Sequence, residues 1–125
     1  MVTTLLQVAA GGAIGASLRY LTGVAVRQVI GTGFPWGTVI ANLLGSFLMG
    51  VLVVTLAHKG GTKFAPFLMV GCLGGFTTFS SFSLDAVTLY ERGDIFGAAS
   101  YVIGSVVLGI LALFAAMALM RWVLA

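Results

Sequence analysis

The chain has 125 residues, 60% hydrophobic and 7% charged, with a formal net charge of +3, whereas soluble domains carry about 45–50% apolar and about 25% charged residues. With a mean hydropathy of +1.17, it has too few polar side chains to cover a water-facing surface or to stay disordered. Its cations, Arg19, Arg27, Lys59, Lys63, Arg92 and Arg121, are too scattered for a nucleic-acid-binding patch. The composition predicts an integral membrane protein made of α-helices.

A spanning helix needs about 20 apolar residues, and four such stretches follow one another. The first covers residues 3–25. No Lys or Arg precedes Arg19, so a retained span is expected there rather than a signal peptide. Arg19, toward the far end, either snorkels to the interface or attracts anions at an entrance. A turn with Gly31, Gly33 and Pro35 leads into the second stretch, residues 36–57. There Thr38, Asn42 and Ser46 are spaced by four and share one helical face, as interhelical glue or as a pathway. A polar loop at 58–63 holds the lone His58. The third stretch, residues 64–90, ends at Glu91-Arg92-Gly93-Asp94, and the fourth covers 95–123. Tyr101 and Ser105, again four apart, add hydroxyls. Trp36, Tyr90 and Trp122 fall near span ends, fitting either an aromatic belt or core packing. Four spans use nearly the whole chain, so residues 1–125 are expected to form one unit without an extramembrane domain. Cys72, the single cysteine, has no intrachain disulfide mate and is expected to be a small packing residue.

The third stretch contains Gly71-Cys72-Leu73-Gly74-Gly75-Phe76-Thr77-Thr78-Phe79-Ser80-Ser81-Phe82-Ser83. Each glycine costs a helix about 1 kcal/mol relative to alanine, and the Thr and Ser side chains compete for backbone hydrogen bonds. A helix break is predicted. Backbone freed at membrane depth needs protein, water or an ion, and free carbonyls suit a cation. The other reading is a kinked helix whose hydroxyls bond back to its own carbonyls. Phe79 and Phe82 share a face, either packing in the core or turning positive ring edges toward an anion.

With four spans, the side holding the termini carries Lys59, Lys63 and Arg121. The other side carries Arg27 and Arg92, with Arg19 near it. Orientation follows Lys/Arg asymmetry, and here the asymmetry is nearly nil. Insertion both ways, with antiparallel pairing, is expected. Small-xxx-small pairs such as Gly11–Gly15 and Ser46–Gly50 permit close helix contact, as in a homo-oligomer. There is no nucleotide-binding motif and no Cys/His cluster, and no carboxylate lies mid-span; Asp85 is toward the end of the third stretch. Uncharged donors, a few cations and phenyl rings suit a small, hard anion.

Gly12-x-x-Gly15-x-x-x-Arg19-Tyr20, Trp36-Gly37-Thr38-x-x-Ala41-Asn42-Leu43-x-Gly45 and Gly74-Gly75-x-Thr77-Thr78-Phe79-Ser80-x-Phe82-Ser83 resemble the Fluc (CrcB) fluoride channels across essentially the whole chain. The resemblance implies a four-helix subunit, broken in the third span, in an antiparallel dual-topology homodimer. It implies passive fluoride export through the bacterial inner membrane or plasma membrane, and no enzyme activity. Its implied fluoride pathway is Arg19, Thr38, Asn42, Phe79, Phe82, Ser83, Tyr101 and Ser105. Backbone carbonyls of Gly74 and Thr77 would hold a structural sodium ion at the dimer centre. Family members often have a second polar residue one turn after the Ser105 position, where this chain has Gly109. Two other classes compete: a proton-coupled small multidrug transporter and a non-transporting assembly protein. The transporter needs a glutamate in the first span, and residues 1–25 hold no Asp or Glu. The assembly protein leaves the clustered intramembrane hydroxyls unexplained.

Overall fold

A computed structural model describes residues 1–125, and every regular element is helical. Helix α1 runs Val2–Ile30, α2 runs Trp36–Lys59 and α5 runs Ile95–Val123. Between α2 and α5 the chain is segmented. A 3-10 turn, Thr62–Phe64, precedes a π-helical stretch, Pro66–Leu73. The short α3, Gly74–Phe76, and the longer α4, Ser80–Glu91, follow. Three segments are long and apolar enough to cross a membrane: Trp36–Lys59, Thr62–Glu91 and Ile95–Val123. At 29 residues, α1 reaches about 43 Å at 1.5 Å per residue, but Gln7, Arg19 and its glycines dilute its apolar character. It runs on past residue 25 because Val26, Val29 and Ile30 continue it, and Arg27 in its last turn complements the negative end of the helix dipole.

The ends follow local chemistry. Gly60 stops α2 in a left-handed conformation with φ 71°, open to glycine without a Cβ penalty. Gly93, with φ 83°, makes the turn into α5, whose start is capped by Asp94 Oδ1 accepting from the Gly97 N–H at 2.8 Å.

Only 13 of 125 residues are buried, and six of them are Gly11, Gly15, Gly45, Gly50, Gly71 and Gly97. The fold is therefore held by backbone approaching backbone, with large apolar side chains left on the outside. A Cβ on Gly11 would lie 2.8 Å from Cys72 N and 2.9 Å from Gly71 Cα. A Cβ on Gly15 would overlap the Cys72 carbonyl oxygen and lie 2.9 Å from Phe76 N. Helix α1 thus packs directly on the third span, and Cys72 takes part through its main chain. On the other side, a Cβ on Gly50 would sit 2.6 Å from Leu113 O and 2.8 Å from Ala116 Cβ, which seats α2 on α5. Trp36, Tyr90 and Trp122 are exposed near helix ends.

Candidate functional site

The third span does break, but at residues 77–79, between α3 and α4, and not at the Gly74-Gly75 pair where the break was expected: both glycines are helical, in α3. Thr77 is extended there, with φ −85° and ψ 157°. Its N–H and its hydroxyl both donate to the Leu73 carbonyl, at 3.0 and 2.9 Å. Ser83 Oγ likewise returns to the Phe79 carbonyl, at 3.0 Å. So hydroxyls do bond back, yet the helix still opens.

Two distant side chains hold it open. Asn42 Nδ2 donates to the Thr78 carbonyl at 3.0 Å, and the Thr78 N–H donates to Asn42 Oδ1 at 2.7 Å. A backbone N–H can only donate, so the orientation of the Asn42 amide is fixed, and one of its two amide N–H groups remains free. Arg19 Nε donates to the Gly75 carbonyl at 3.1 Å. The Thr78 hydroxyl then accepts from the Ser81 N–H at 3.1 Å, capping α4. After these bonds, the Gly74 and Thr77 carbonyls accept no hydrogen bond. The Phe76 carbonyl at the end of α3 is likewise without a donor.

Beside the break lies an open groove of about 340 Å³, lined by Asn42, Thr77, Phe79, Phe82 and Ser105 among others. Phe79 is 79% exposed, and its ring centroid lies 5.8 Å from that of Phe82. Ser105 Oγ is buried and makes no hydrogen bond. Four expected pathway residues thus meet in one place: Asn42, Phe79, Phe82 and Ser105.

The others lie elsewhere. Thr38 lines a second, polar cavity of about 270 Å³ at the α1–α2 turn, with Arg27, Trp36, Asp85 and Arg92. Arg92 Nη2 donates to the Gly33 carbonyl there, at 3.0 Å. Thr38 Oγ1 donates to Asp85 Oδ2 at 2.8 Å, and Tyr101 OH donates to the same oxygen at 3.0 Å. Tyr101 is only 1% exposed, so its hydroxyl is tied to Asp85 and does not face the groove. Its ring still links the two cavities: centroids lie 5.1 Å from Phe82 and 5.6 Å from Phe34, which stacks 4.9 Å from Trp36. Arg19 stands on the α1 side of the break, in a cleft with Arg27, Thr38 and Ser81.

Sequence reasoning overlooked Asp85, setting it aside as near the span end. A carboxylate two turns short of the end of a 30-residue apolar segment, whose other carboxylate is the terminal Glu91, was itself a signal, because such a group needs donors close by.

Residues 6–117 match the family described as "CrcB-like protein, Camphor Resistance (CrcB)". The chain belongs to the CrcB family. It is 64% identical over 121 residues to a protein of Cereibacter sphaeroides (strain ATCC 17029 / ATH 2.4.9) named fluoride-specific ion channel FluC, with 97% of each chain covered. A protein of the same name from Ruegeria sp. (strain TM1040) is 58% identical over 125 residues, with 99% of each covered. Another from Rhizobium meliloti (strain 1021) is 50% identical over 119 residues, covering 94% of this chain and 95% of the relative. The resemblance read from the motifs is borne out. CrcB proteins are ion channels and not enzymes, and this one is a multi-pass membrane protein.

Proposed function

We propose that this chain is the subunit of a fluoride-selective channel through which fluoride leaves the cytoplasm down its own gradient. The observation that carries the reading is the groove at the third-span break. There a free amide N–H of Asn42 and the Ser105 hydroxyl stand beside the rings of Phe79 and Phe82 on an open face. A small anion leaving water needs strong donors, and ring edges add weak positive contacts. The names of the relatives bring fluoride as the ion.

In this reading α1 is the fourth crossing, residues 1–125 are one channel unit, and the membrane is the plasma membrane, the inner one in a bacterium. The working form is an antiparallel dual-topology homodimer. Two features support it: so few residues are buried in one subunit, and the Lys/Arg distribution is nearly even between the two ends. The Gly74 and Thr77 carbonyls fit a hard monovalent cation, since unwound backbone carbonyls are suited to sodium. In each subunit these two oxygens would hold a structural sodium ion at the dimer centre. That ion would supply the positive charge the freed carbonyls lack, without being transported. Arg19 and Asn42 would keep the break in the shape that leaves them free.

The test is flux through purified protein in liposomes. Fluoride efflux with negligible chloride efflux is expected, and equal flux of the two anions, or none, overturns the reading.

A further inference from the structure

We infer that Ser46 is an anion-contacting residue of the groove, acting with Ser105 from the facing helix. The inference rests on the fluoride-channel reading and deepens it. Several hydroxyls on these helices close onto their own backbone, while others, the buried Thr55 Oγ1 among them, do not. Ser17, Thr22, Thr77, Ser83 and Thr88 each donate to the carbonyl four residues earlier, at 2.6–3.0 Å. Ser46 and Ser105 do not, and neither makes any other hydrogen bond. Both line the groove beside Asn42.

Their positions explain why. Ser46 is one turn beyond Asn42 on α2, so the two polar groups stack along one face. Across from it on α5 is Gly109, one turn beyond Ser105. A Cβ on Gly109 would lie 3.8 Å from Ser46 Oγ. The missing side chain leaves the Ser46 hydroxyl facing open space where α2 and α5 meet. Leaving a buried hydroxyl without an acceptor is unfavourable, and Ser105 Oγ is in that state. An anion between the two helices would accept from both hydroxyls at once. It would meet them after the Asn42 amide, continuing the line of donors along the groove. Gly109 itself has no group to offer, so the donor at this level comes from α2.

The experiment measures fluoride efflux from zwitterionic-lipid vesicles for wild type, Ser46→Ala, Ser105→Ala and the pair Ser46→Ala with Gly109→Ser. Ser46→Ala should slow efflux by about tenfold or more, the worth of one hydrogen bond to a charged group. Adding Gly109→Ser should recover most of the lost rate, because it returns a hydroxyl to the same space from the facing helix. A Cβ fits there, its nearest neighbours being Ser46 Oγ at 3.8 Å and Leu43 Cδ2 at 3.9 Å. Recovery is something a packing role could not produce. If wild type conducts and Ser46→Ala matches it, the inference fails alone. If Ser46→Ala is slow and Gly109→Ser does not help, Ser46 is packing and the inference again fails. If wild type itself passes no fluoride, the channel reading fails and takes this inference with it.

Discussion

Replacing Asn42 with Asp changes one atom and two interactions. The residue keeps its size, and one oxygen can still accept from the Thr78 N–H, which lies 2.7 Å from Asn42 Oδ1. The other oxygen replaces Nδ2 and faces the Thr78 carbonyl at about the 3.0 Å that now separates donor from acceptor. Losing that donor costs about 1–3 kcal/mol, since the carbonyl is left unsatisfied. The larger effect is on the ion. A carboxylate about 4 Å from fluoride opposes it by about 4 kcal/mol at an effective dielectric near 20, and by about 1 kcal/mol in bulk water. At 1.36 kcal/mol per decade, the first value slows conduction about a thousandfold and the second about fivefold. Fluoride efflux from liposomes, read with a fluoride electrode, measures the loss. Gel filtration and thermal unfolding in detergent check that the assembly survives. Efflux within about fivefold of wild type would mean that the side chain is as remote from the ion as bulk water makes it. That result would refute the placement of Asn42 on the pathway and leave it as a clamp on the break.

Gly15→Ala should lower the thermal midpoint sharply, because its Cβ overlaps the Cys72 carbonyl and overpacking costs about 1–3 kcal/mol or more. Gly12→Ala, where nothing lies within 4 Å, should leave the midpoint unchanged or raise it. Tyr101→Phe removes one of two hydroxyls from Asp85 and should cost about 1.5–3 kcal/mol of stability; in an Asp85→Asn background the loss should shrink, as a double-mutant cycle would measure. Exchange of sodium for a bulky organic cation during long dialysis should reduce fluoride efflux, and returning sodium should restore it without sodium flux; unchanged activity counts against the central ion. A C-terminal tag should be found on both faces of the membrane, and extra lysines in the 58–63 loop should fix one orientation and abolish function until an oppositely biased copy is co-expressed.

The helices were legible because each is a long apolar run closed by a local signal: Gly60 for α2, and Gly93 with Asp94 before α5. A break was legible, though not its place, because Gly74-Gly75 and the hydroxyl run weaken helical hydrogen bonding within a few residues of one another. The interactions that set its shape were not. Arg19 reaches Gly75 across 56 positions, Thr38 reaches Asp85 across 47 and Asn42 reaches Thr78 across 36. No periodicity encodes such pairs; they join segments that meet only in the folded bundle. Spacing four on α2 put Thr38, Asn42 and Ser46 on one face. It could not say that Thr38 would turn to a carboxylate, Asn42 to a peptide group and Ser46 to open space.

That division of labour bears on how a chain this small can present free donors inside a bilayer. A polar side chain in lipid tends to find its own backbone, as Ser17 and Thr22 do. A donor stays free only where the surrounding structure denies it an acceptor. Around the break, Asn42 and Arg19 use their hydrogen bonds to fix the backbone, and the fixed backbone in turn holds Phe79 outward and Thr77 extended. The hydroxyls of Ser46 and Ser105 and one N–H of Asn42 are then left without a hydrogen-bond partner at the groove. The strain of unsatisfied donors is thereby concentrated where an anion can relieve it, and relief by a small anion with strong hydrogen-bond acceptance exceeds relief by a larger, weaker one. On the proposed function, selectivity would come from the rigidity of the clamps as much as from the donors themselves. Loosening the Arg19–Gly75 bond should therefore erode discrimination between fluoride and chloride before it abolishes flux.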